Sequence, residues 1–277
     1  MTPPEWILWA ATVGFGSTLS ERFAAAVENG YGWVSLSPAE VLEAERDGTP
    51  ATLIGARARD LDLGLVVDPV MNWYPDSVPS PSRFAGVSTQ DALRAGADLG
   101  VGLLTAIATA TSDVPVADLA AHFGHVCDGA AEFGAHVQLE FMPFTVVPDL
   151  RTAWDIVRAA NRTNGGIVFD TWHFYRGDPD FGVLARVPGT RILSVQIDDA
   201  TAVPHGVLRH ETAHRLLPGD GGLDLVTAVR ALEQIGALRR VGPEIINEEL
   251  ATELAPAAAA RRAMDRTKDL LRTALVG

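Results

Sequence analysis

Short hydrophobic runs alternate with longer segments of helical pattern along the whole chain. Within each short run the apolar residues are almost continuous, which is typical of parallel strands that are buried on both faces. The pattern predicts eight strands, at residues 6–12, 32–37, 63–69, 102–108, 136–142, 166–171, 192–198 and 243–247.

The segments between these strands carry helix signals. Thr18 and Glu21 form a capping box, and Gly30 supplies a stop. Residues 116–134 place apolar side chains every three or four positions, the spacing of a helix that packs on a sheet. Asp149 can cap a helix over residues 150–161, and an alanine-rich segment, 256–276, predicts a final helix.

Eight strands that alternate with helices predict a parallel sheet with right-handed crossovers. Either an open doubly wound sheet or a closed barrel satisfies this order. No Gly-x-Gly-x-x-Gly motif follows the first strand, and polar residues lie at several strand ends, which favours the barrel. The length of 277 residues also suits it. The sequence predicts an α/β fold, a single (β/α)8 TIM barrel, with residues 1–277 as one domain.

Composition excludes several function classes. The net charge of −13 argues against a nucleic-acid partner, which requires clustered basic residues. Lys268 is the only lysine, so a Schiff base on a buried lysine is excluded. One cysteine, Cys127, no basic leader and no apolar run of about 20 residues predict a cytoplasmic protein with no membrane partner.

Acidic and amide side chains interrupt the last four predicted strands, and Glu140 and Asp170 do so near the C-terminal ends of their strands. These side chains are Glu140, Asp170, Gln196 with Asp198, and Glu244. In a barrel these ends face one central volume, where several carboxylates disfavour one another's ionisation. A divalent cation removes this cost, and oxygen donors of this kind suit Mn2+ or Mg2+.

A simpler interpretation exists for each acid taken alone. An acid at a strand end commonly caps the next helix or forms half of an ion pair. For all of them together this interpretation is weak, because the strands supply no lysine or arginine beside them.

Five short blocks in the C-terminal half carry a family resemblance. They are Leu139-Glu140-Phe141, Phe169-Asp170-Thr171-Trp172-His173, Val195-Gln196-Ile197-Asp198-Asp199, Leu217-Pro218-Gly219-Asp220-Gly221 and Glu244-Ile245-Ile246-Asn247-Glu248-Glu249-Leu250. In their order and spacing they resemble the xylose isomerase-like superfamily, in particular its sugar phosphate isomerase/epimerase and inosose dehydratase-like branch.

The resemblance implies a ligand set for a divalent metal. Glu140, Asp170 and Glu244 match metal ligands, and Gln196 stands where the family commonly has a histidine. An amide oxygen binds transition metals less strongly than imidazole, so Mn2+ is the expected cofactor, with Mg2+, Co2+ or Zn2+ as alternatives.

The same resemblance implies residues on the substrate side. His173, at the Asp-x-x-His spacing, and Arg215 match groups that contact substrate. Trp172, Asp198 and Trp73 are further candidates for substrate binding. The alternatives are a structural loop histidine, a solvated loop arginine and aromatic side chains that fill the core.

These expectations describe a metal-dependent isomerase or epimerase of a sugar or polyol. Glu140 and Glu244 would act as base and acid on a carbon next to a metal-polarised carbonyl. Dehydration, a lyase or cyclase reaction on a larger ring compound, and a non-catalytic barrel remain alternatives. The segment 201–220 is predicted to form a lid, and a homodimer is an expectation for this fold.

Overall fold

A computed structural model describes residues 3–74, 86–108 and 114–276. Eight parallel strands close in chain order into a barrel, which confirms the predicted (β/α)8 TIM barrel. The strands are β1 (Glu5–Leu8), β2 (Trp33–Leu36), β3 (Gly64–Val70), β4 (Leu103–Ile107), β5 (His136–Glu140), β6 (Gly165–Asp170), β7 (Ile192–Ile197) and β8 (Arg240–Pro243).

Helices follow the strands. They are α1 (Leu19–Asn29), α2 (Pro38–Arg46), α3 (Ala51–Asp60), α4 (Thr89–Leu99), α5 (Val116–Ala131), α6 (Leu150–Ala160), α7 (Thr171–Arg176), α8 (Phe181–Leu184), α9 (Leu208–Glu211), α10 (Leu225–Gln234), α11 (Glu248–Glu253) and α12 (Pro256–Leu275). Short 3-10 helices lie at Ala10–Val13 and Gly189–Arg191.

The predicted helix ends are confirmed where the sequence carries a cap. Thr18 and Glu21 form both bonds of a capping box at the start of α1, and Gly30 ends that helix with φ of 74°. Asp149 accepts a hydrogen bond of 2.8 Å from the backbone N–H of Thr152 at the start of α6. These local bonds satisfy backbone groups that a helix end leaves unpaired.

The first and last strands end earlier than predicted. β1 stops at Leu8 and a 3-10 helix follows, whereas β8 begins at Arg240 and stops at Pro243, so Glu244 lies just beyond the strand. Thr12 explains both ends. Its hydroxyl donates to the carbonyl of Pro243 at 2.6 Å and accepts from the N–H of Ile245 at 3.2 Å. The Thr12 side chain thus takes the place of the next backbone hydrogen bonds between β1 and β8.

The register of β7 and β8 positions the residues that follow them. Gln196 pairs with Gly242, and Ile197 pairs with Pro243. The N–H of Glu244 then donates to the carbonyl of Ile197 at 3.1 Å. In extended backbone, residues two apart point to the same side. The register therefore brings Asp198 and Glu244 to corresponding positions at the ends of neighbouring strands.

The chain divides into two compact units by Cα packing. One unit comprises Met1–Val34 with Phe169–Gly277, and the other comprises Ser35–Val168. In the first, α12 packs against α1 and α10. In the second, α5 packs against α6. The organisation of residues 1–277 as one domain stays a prediction.

In the described part of the chain, no helix combines the length and the hydrophobicity that a membrane crossing requires.

Candidate active site

Arg215 is the centre of a buried ion-pair cluster. Its Nη1 atom lies 2.6 Å from Oδ2 of Asp170 and 3.0 Å from Oε2 of Glu244, and it also contacts Oδ2 of Asp198. Asp170 and Asp198 are 0% exposed, Arg215 is 1% exposed and Glu244 is 7% exposed. The strands supply no basic partner, but the loop after β7 does, so the ion-pair interpretation that the sequence made weak holds for Asp170, Asp198 and Glu244.

The rest of the Arg215 side chain is also bound. Its Nη2 atom lies 3.1 Å from Nε2 of His173 and 3.3 Å from Oγ1 of Thr212, and its guanidinium carbon lies 5.4 Å from the ring centroid of Trp172. A guanidinium only donates hydrogen bonds, so Nε2 of His173 must accept. The alternative of a solvated loop arginine is wrong.

Asp170 has two structural roles at once. It ends β6, and its Oδ1 atom accepts a 2.7 Å hydrogen bond from the N–H of His173, which caps α7. Burial raises the pKa of the Asp170 carboxyl, but the Arg215 guanidinium, His173 and the hydrogen bonds outweigh it. The net pKa of Asp170 lies below the usual aspartate value, so this side chain is an anion at neutral pH.

The pKa of Asp198 is shifted in the opposite direction from that of Asp170. Burial, followed by the charge of Asp170, raises the pKa of its carboxyl well above the usual range, although Arg215, Thr171 and Trp172 act against the shift. Its Oδ1 atom accepts from the N–H of Trp172 at 2.8 Å and from the hydroxyl of Thr171 at 2.5 Å. Asp198 therefore ties the start of α7 to the end of β7.

Gln196 is a buried amide with unused hydrogen-bonding capacity. It is 0% exposed, and neither its Oε1 nor its Nε2 atom has a hydrogen-bond partner among the described residues. Leaving a buried amide unpaired costs roughly 1–3 kcal/mol per polar group. Gln196 lies near the end of β7 and Asp198 directly follows the strand, two residues on, so in extended backbone the two side chains face the same side.

Glu140 is the last residue of β5 and is 4% exposed. Within its own unit, its charge raises the pKa of Asp68, whose carboxyl is shifted first by burial and is partly offset by a hydrogen bond from Thr105. Thr105 in turn accepts a 3.0 Å bond from Nε2 of Gln138. The sequence patterns did not single out Asp68, although an aspartate near the end of a predicted strand was the available signal.

Trp73 is held in place by contacts with β4 and α5 of its own unit. Its indole N–H donates to the carbonyl of Ile107 at 2.8 Å, and its ring packs edge-on against Tyr74 and against Phe123 of α5. Trp73 is 5% exposed and Trp172 is 0% exposed. A substrate role for either indole stays a prediction.

The loop after β7 is fixed by Asp199, an aspartate that the strand patterns did not single out. Asp199 accepts backbone hydrogen bonds from Gly219 at 2.9 Å, Gly221 at 3.0 Å and Leu223 at 3.1 Å. A bridge between Asp199 and Leu216 holds the residue next to Arg215. The signal was the motif Leu217-Pro218-Gly219-Asp220-Gly221, whose glycines expose N–H groups to a nearby acceptor.

A second buried ion pair fixes the middle of this loop. The Nε atom of Arg176, on α7, donates to Oε1 of Glu211, on α9, at 2.8 Å, and the side chains are each 2% exposed. Arg176 also donates to the carbonyl of Thr201 at 2.7 Å. Residues 201–207 are exposed, so the segment 201–220 contains an exposed strip next to these buried contacts, and its role as a lid stays a prediction.

Most of the chain matches a known family. A family model described as xylose isomerase-like TIM barrel matches residues 23–270. The chain belongs to this family. Its membership confirms the resemblance that the five blocks indicated, and the match extends beyond the C-terminal half into the region before β5.

Curated relatives of this chain include two kinds of enzyme. An inosose isomerase of Bacillus velezensis is 36% identical over 124 residues, 44% of this chain and 44% of that protein. A 3-dehydroshikimate dehydratase of Pseudomonas aeruginosa is 27% identical over 244 residues, 86% of this chain and 38% of that protein. The matches thus cover less than half of the length of each relative.

Solved structures of similar fold align with almost the whole of this chain. The IolI protein with a binding zinc atom superposes with a TM-score of 0.83 at 20% identity, over 99% of this chain and 100% of the other. An L-ribulose 3-epimerase superposes with a TM-score of 0.70 at 18% identity, over 98% and 95%. At such identities the likeness supports the fold.

Proposed function

We propose that this chain is a divalent-metal-dependent isomerase or epimerase of a sugar-like or polyol-derived ketone. The observation that carries the proposal is the buried Gln196 amide, which lacks a hydrogen-bond partner among the described residues and lies on the same strand end as Asp198. A buried amide without a protein partner commonly marks a bound water or ion, or a functional role. The inosose isomerase relatives support a substrate of the polyol-ketone class.

The donor set fits a hard divalent cation. Asp170, Gln196 and Glu244 would hold the metal with oxygen atoms, and we assign Glu140 as the fourth ligand from the end of β5. Oxygen-only donors favour Mn2+ or Mg2+, whereas Zn2+ and Co2+ gain more from nitrogen or sulfur ligands. Mn2+ is the proposed cofactor. The zinc in the IolI structure supports a metal in this fold without fixing its identity here.

The chemistry then divides between the metal and two glutamates. When bound, the metal polarises the substrate carbonyl. Glu140 and Glu244 remove and return a proton on the adjacent carbon, as base and acid. Return to the opposite face of the same carbon gives an epimer, and return to the neighbouring carbon gives an isomer.

The remaining side chains would bind and orient the substrate. His173 and Arg215 supply donors for substrate hydroxyl groups, and Asp198 supplies an acceptor. Trp172 and Trp73 would present aromatic faces to the C–H groups of a ring. The burial of these groups supports a site that excludes water, which strengthens each hydrogen bond inside it.

A dehydratase is the second candidate. The match to 3-dehydroshikimate dehydratase covers 86% of this chain, about twice the share of the inosose isomerase match, and supports it. The same first step serves both reactions, because loss of a hydroxyl group also begins with proton removal next to a carbonyl. The two reactions differ in the fate of the resulting carbanion.

Metal content and proton exchange test the proposal together. Elemental analysis of purified wild type, Glu140→Gln and Glu244→Gln checks for near-stoichiometric Mn, Mg, Zn, Co or Fe that falls in both variants. Inososes, ketoses and 3-dehydroshikimate are then incubated with each protein in D2O and followed by NMR. Deuterium uptake by wild type alone, with the ring hydroxyls retained, supports an isomerase or epimerase.

The outcomes separate the candidates. Appearance of an alkene proton in place of a hydroxyl-bearing carbon favours the dehydratase. Wild-type protein without metal that also takes up no added Mn2+ contradicts the metalloenzyme proposal. Equal exchange rates in wild type and in both glutamine variants contradict the assigned acid and base.

A further inference from the structure

Three buried carboxylates share one nitrogen atom. Nη1 of Arg215 is the common partner of Asp170, Asp198 and Glu244. A guanidinium Nη atom carries two hydrogens, so it cannot give each of three acceptors a full hydrogen bond. One cation also leaves the cluster short of positive charge whenever all three acids are ionised. Nη1 alone therefore does not satisfy all three carboxylates.

The Nη2 donors of Arg215 are bound elsewhere. Nη2 contacts His173 and Thr212, at 3.1 and 3.3 Å. These contacts give the guanidinium a second set of partners that does not depend on Asp170 or Glu244. The three carboxylates are therefore not the only groups that hold this guanidinium in place.

The backbone of Arg215 is held in place independently of its side chain. Its N–H donates to the carbonyl of Ile246 at 3.0 Å, and its carbonyl accepts from Nδ2 of Asn247 at 2.9 Å. The backbone of Arg215 is therefore fixed by bonds that do not involve its guanidinium.

Gln196 supplies an independent sign that a ligand belongs here. Its register partner Gly242 precedes Glu244 by two residues, and Asp198 follows Gln196 by two, so all three polar side chains leave the same side of β7 and β8. Arg215 does not contact the side-chain amide of Gln196, whose Oε1 atom has no hydrogen-bond partner among the described residues. A divalent cation can accept ligands from carboxylates and an amide oxygen together.

We infer that Arg215 is an internal counter-cation that occupies the metal position between Asp170 and Glu244, and that a divalent metal binds by displacing Nη1 from these two carboxylates. This inference rests on the proposed metal function. It goes further by assigning a competition between side chain and metal, which weakens metal affinity and delivers the guanidinium to the substrate side when metal arrives.

Mn2+ binding tests the competition directly. Free Mn2+ is measured by EPR during titration of wild type, Arg215→Met, the double variant Arg215→Met/Asp198→Asn and the control Arg272→Met. Arg272 is exposed on α12, so its variant removes the same charge from an exposed ion pair. The double variant removes the Asp198 carboxyl together with the guanidinium that contacts it, and it keeps the assay available if the single variant does not fold.

We expect Arg215→Met, or the double variant in its place, to bind Mn2+ about tenfold more tightly than wild type, a difference of about 1.4 kcal/mol. The metal-free variant should melt below wild type, and Mn2+ should raise its melting temperature by more than it raises that of wild type. Arg272→Met should match wild type in both measurements.

The outcomes distinguish this inference from the proposal beneath it. Wild-type affinity equal to or tighter than that of the arginine variants overturns the competition and leaves the metal function standing. Uptake by the variants but not by wild type supports the competition and contradicts a metal-dependent wild-type enzyme. No uptake by any protein contradicts both.

Discussion

Nη1 of Arg215 lies 2.6 Å from Oδ2 of Asp170, while Oδ1 of the same carboxylate caps α7 through the N–H of His173. One side chain therefore joins the loop after β7 to the start of a helix. Both partners are almost fully buried, so removing the guanidinium would leave the Asp170 carboxylate without this counter-charge, whereas removing Asp170 would leave Arg215 its contacts with Asp198 and Glu244. The stability of this region therefore depends on the charges of Asp170 and Arg215.

Asp170→Asn should separate the cap from the charge. The amide can still accept from His173, but its NH2 group would face the Nη1 donor of Arg215. We expect a loss of about 2 kcal/mol in the free energy of unfolding at neutral pH, measured by urea denaturation. Asp149→Asn is the matched control, because Asp149 caps α6 through a 2.8 Å bond to Thr152 and asparagine caps equally well. Equal losses in the two variants would contradict this account.

Glu211→Gln should loosen the loop between β7 and α10. Arg176 and Glu211 are each 2% exposed, so the neutral variant leaves a buried guanidinium without its counter-charge. We expect a cost of about 3 kcal/mol in unfolding free energy and faster proteolysis within residues 201–215. Asp155→Asn provides the comparison, because its pair with Arg158 is exposed at 41% and 69% and should contribute less than about 1 kcal/mol. Unchanged proteolysis of Glu211→Gln would count against the anchor.

Gly242→Ala should be severely destabilising. A methyl group at this position would lie 2.0 Å from the backbone carbonyl oxygen of Ile7 on the neighbouring strand β1, and backbone cannot move aside cheaply. We expect a loss of about 3 kcal/mol or more, seen as low soluble yield and a lowered melting temperature. Gly32→Ala is the control, since a methyl group there would meet no described atom within 4 Å beyond its chain neighbours. A stable Gly242→Ala protein would show that β1 and β8 lie further apart.

The fold could be predicted from the sequence because its signals are local. Continuous apolar runs marked the strands, and caps such as Thr18 with Glu21 marked helix ends within one turn. The ends of β1 and β8 could not be predicted in the same way. They depend on the hydroxyl of Thr12 reaching Pro243, a residue 231 positions away, and no local pattern contains that contact.

In the candidate site, too, local patterns indicated some residues and missed the contact that depends on distant parts of the chain. Glu140, Asp170 and Glu244 were visible as acids that interrupt or follow hydrophobic runs. The partner of Asp170 and Glu244 was not visible, because Arg215 lies in a segment without periodicity. Its position depends on backbone bonds from a loop folded around Asp199. Charge compensation in a barrel is a property of the assembled loops, which strand patterns do not report.

Asp198→Asn should change how stability depends on pH. The folded-state pKa of Asp198 is raised by burial and by Asp170, so the folded protein holds a proton that the unfolded chain releases. Between the ordinary aspartate pKa and this raised value, wild-type stability must therefore fall as pH rises. The variant lacks that titration. Urea denaturation of both proteins from about pH 4 to about pH 8 should show wild type losing stability relative to Asp198→Asn across that window. A difference between the two proteins that is constant over the whole range would contradict the raised pKa of Asp198.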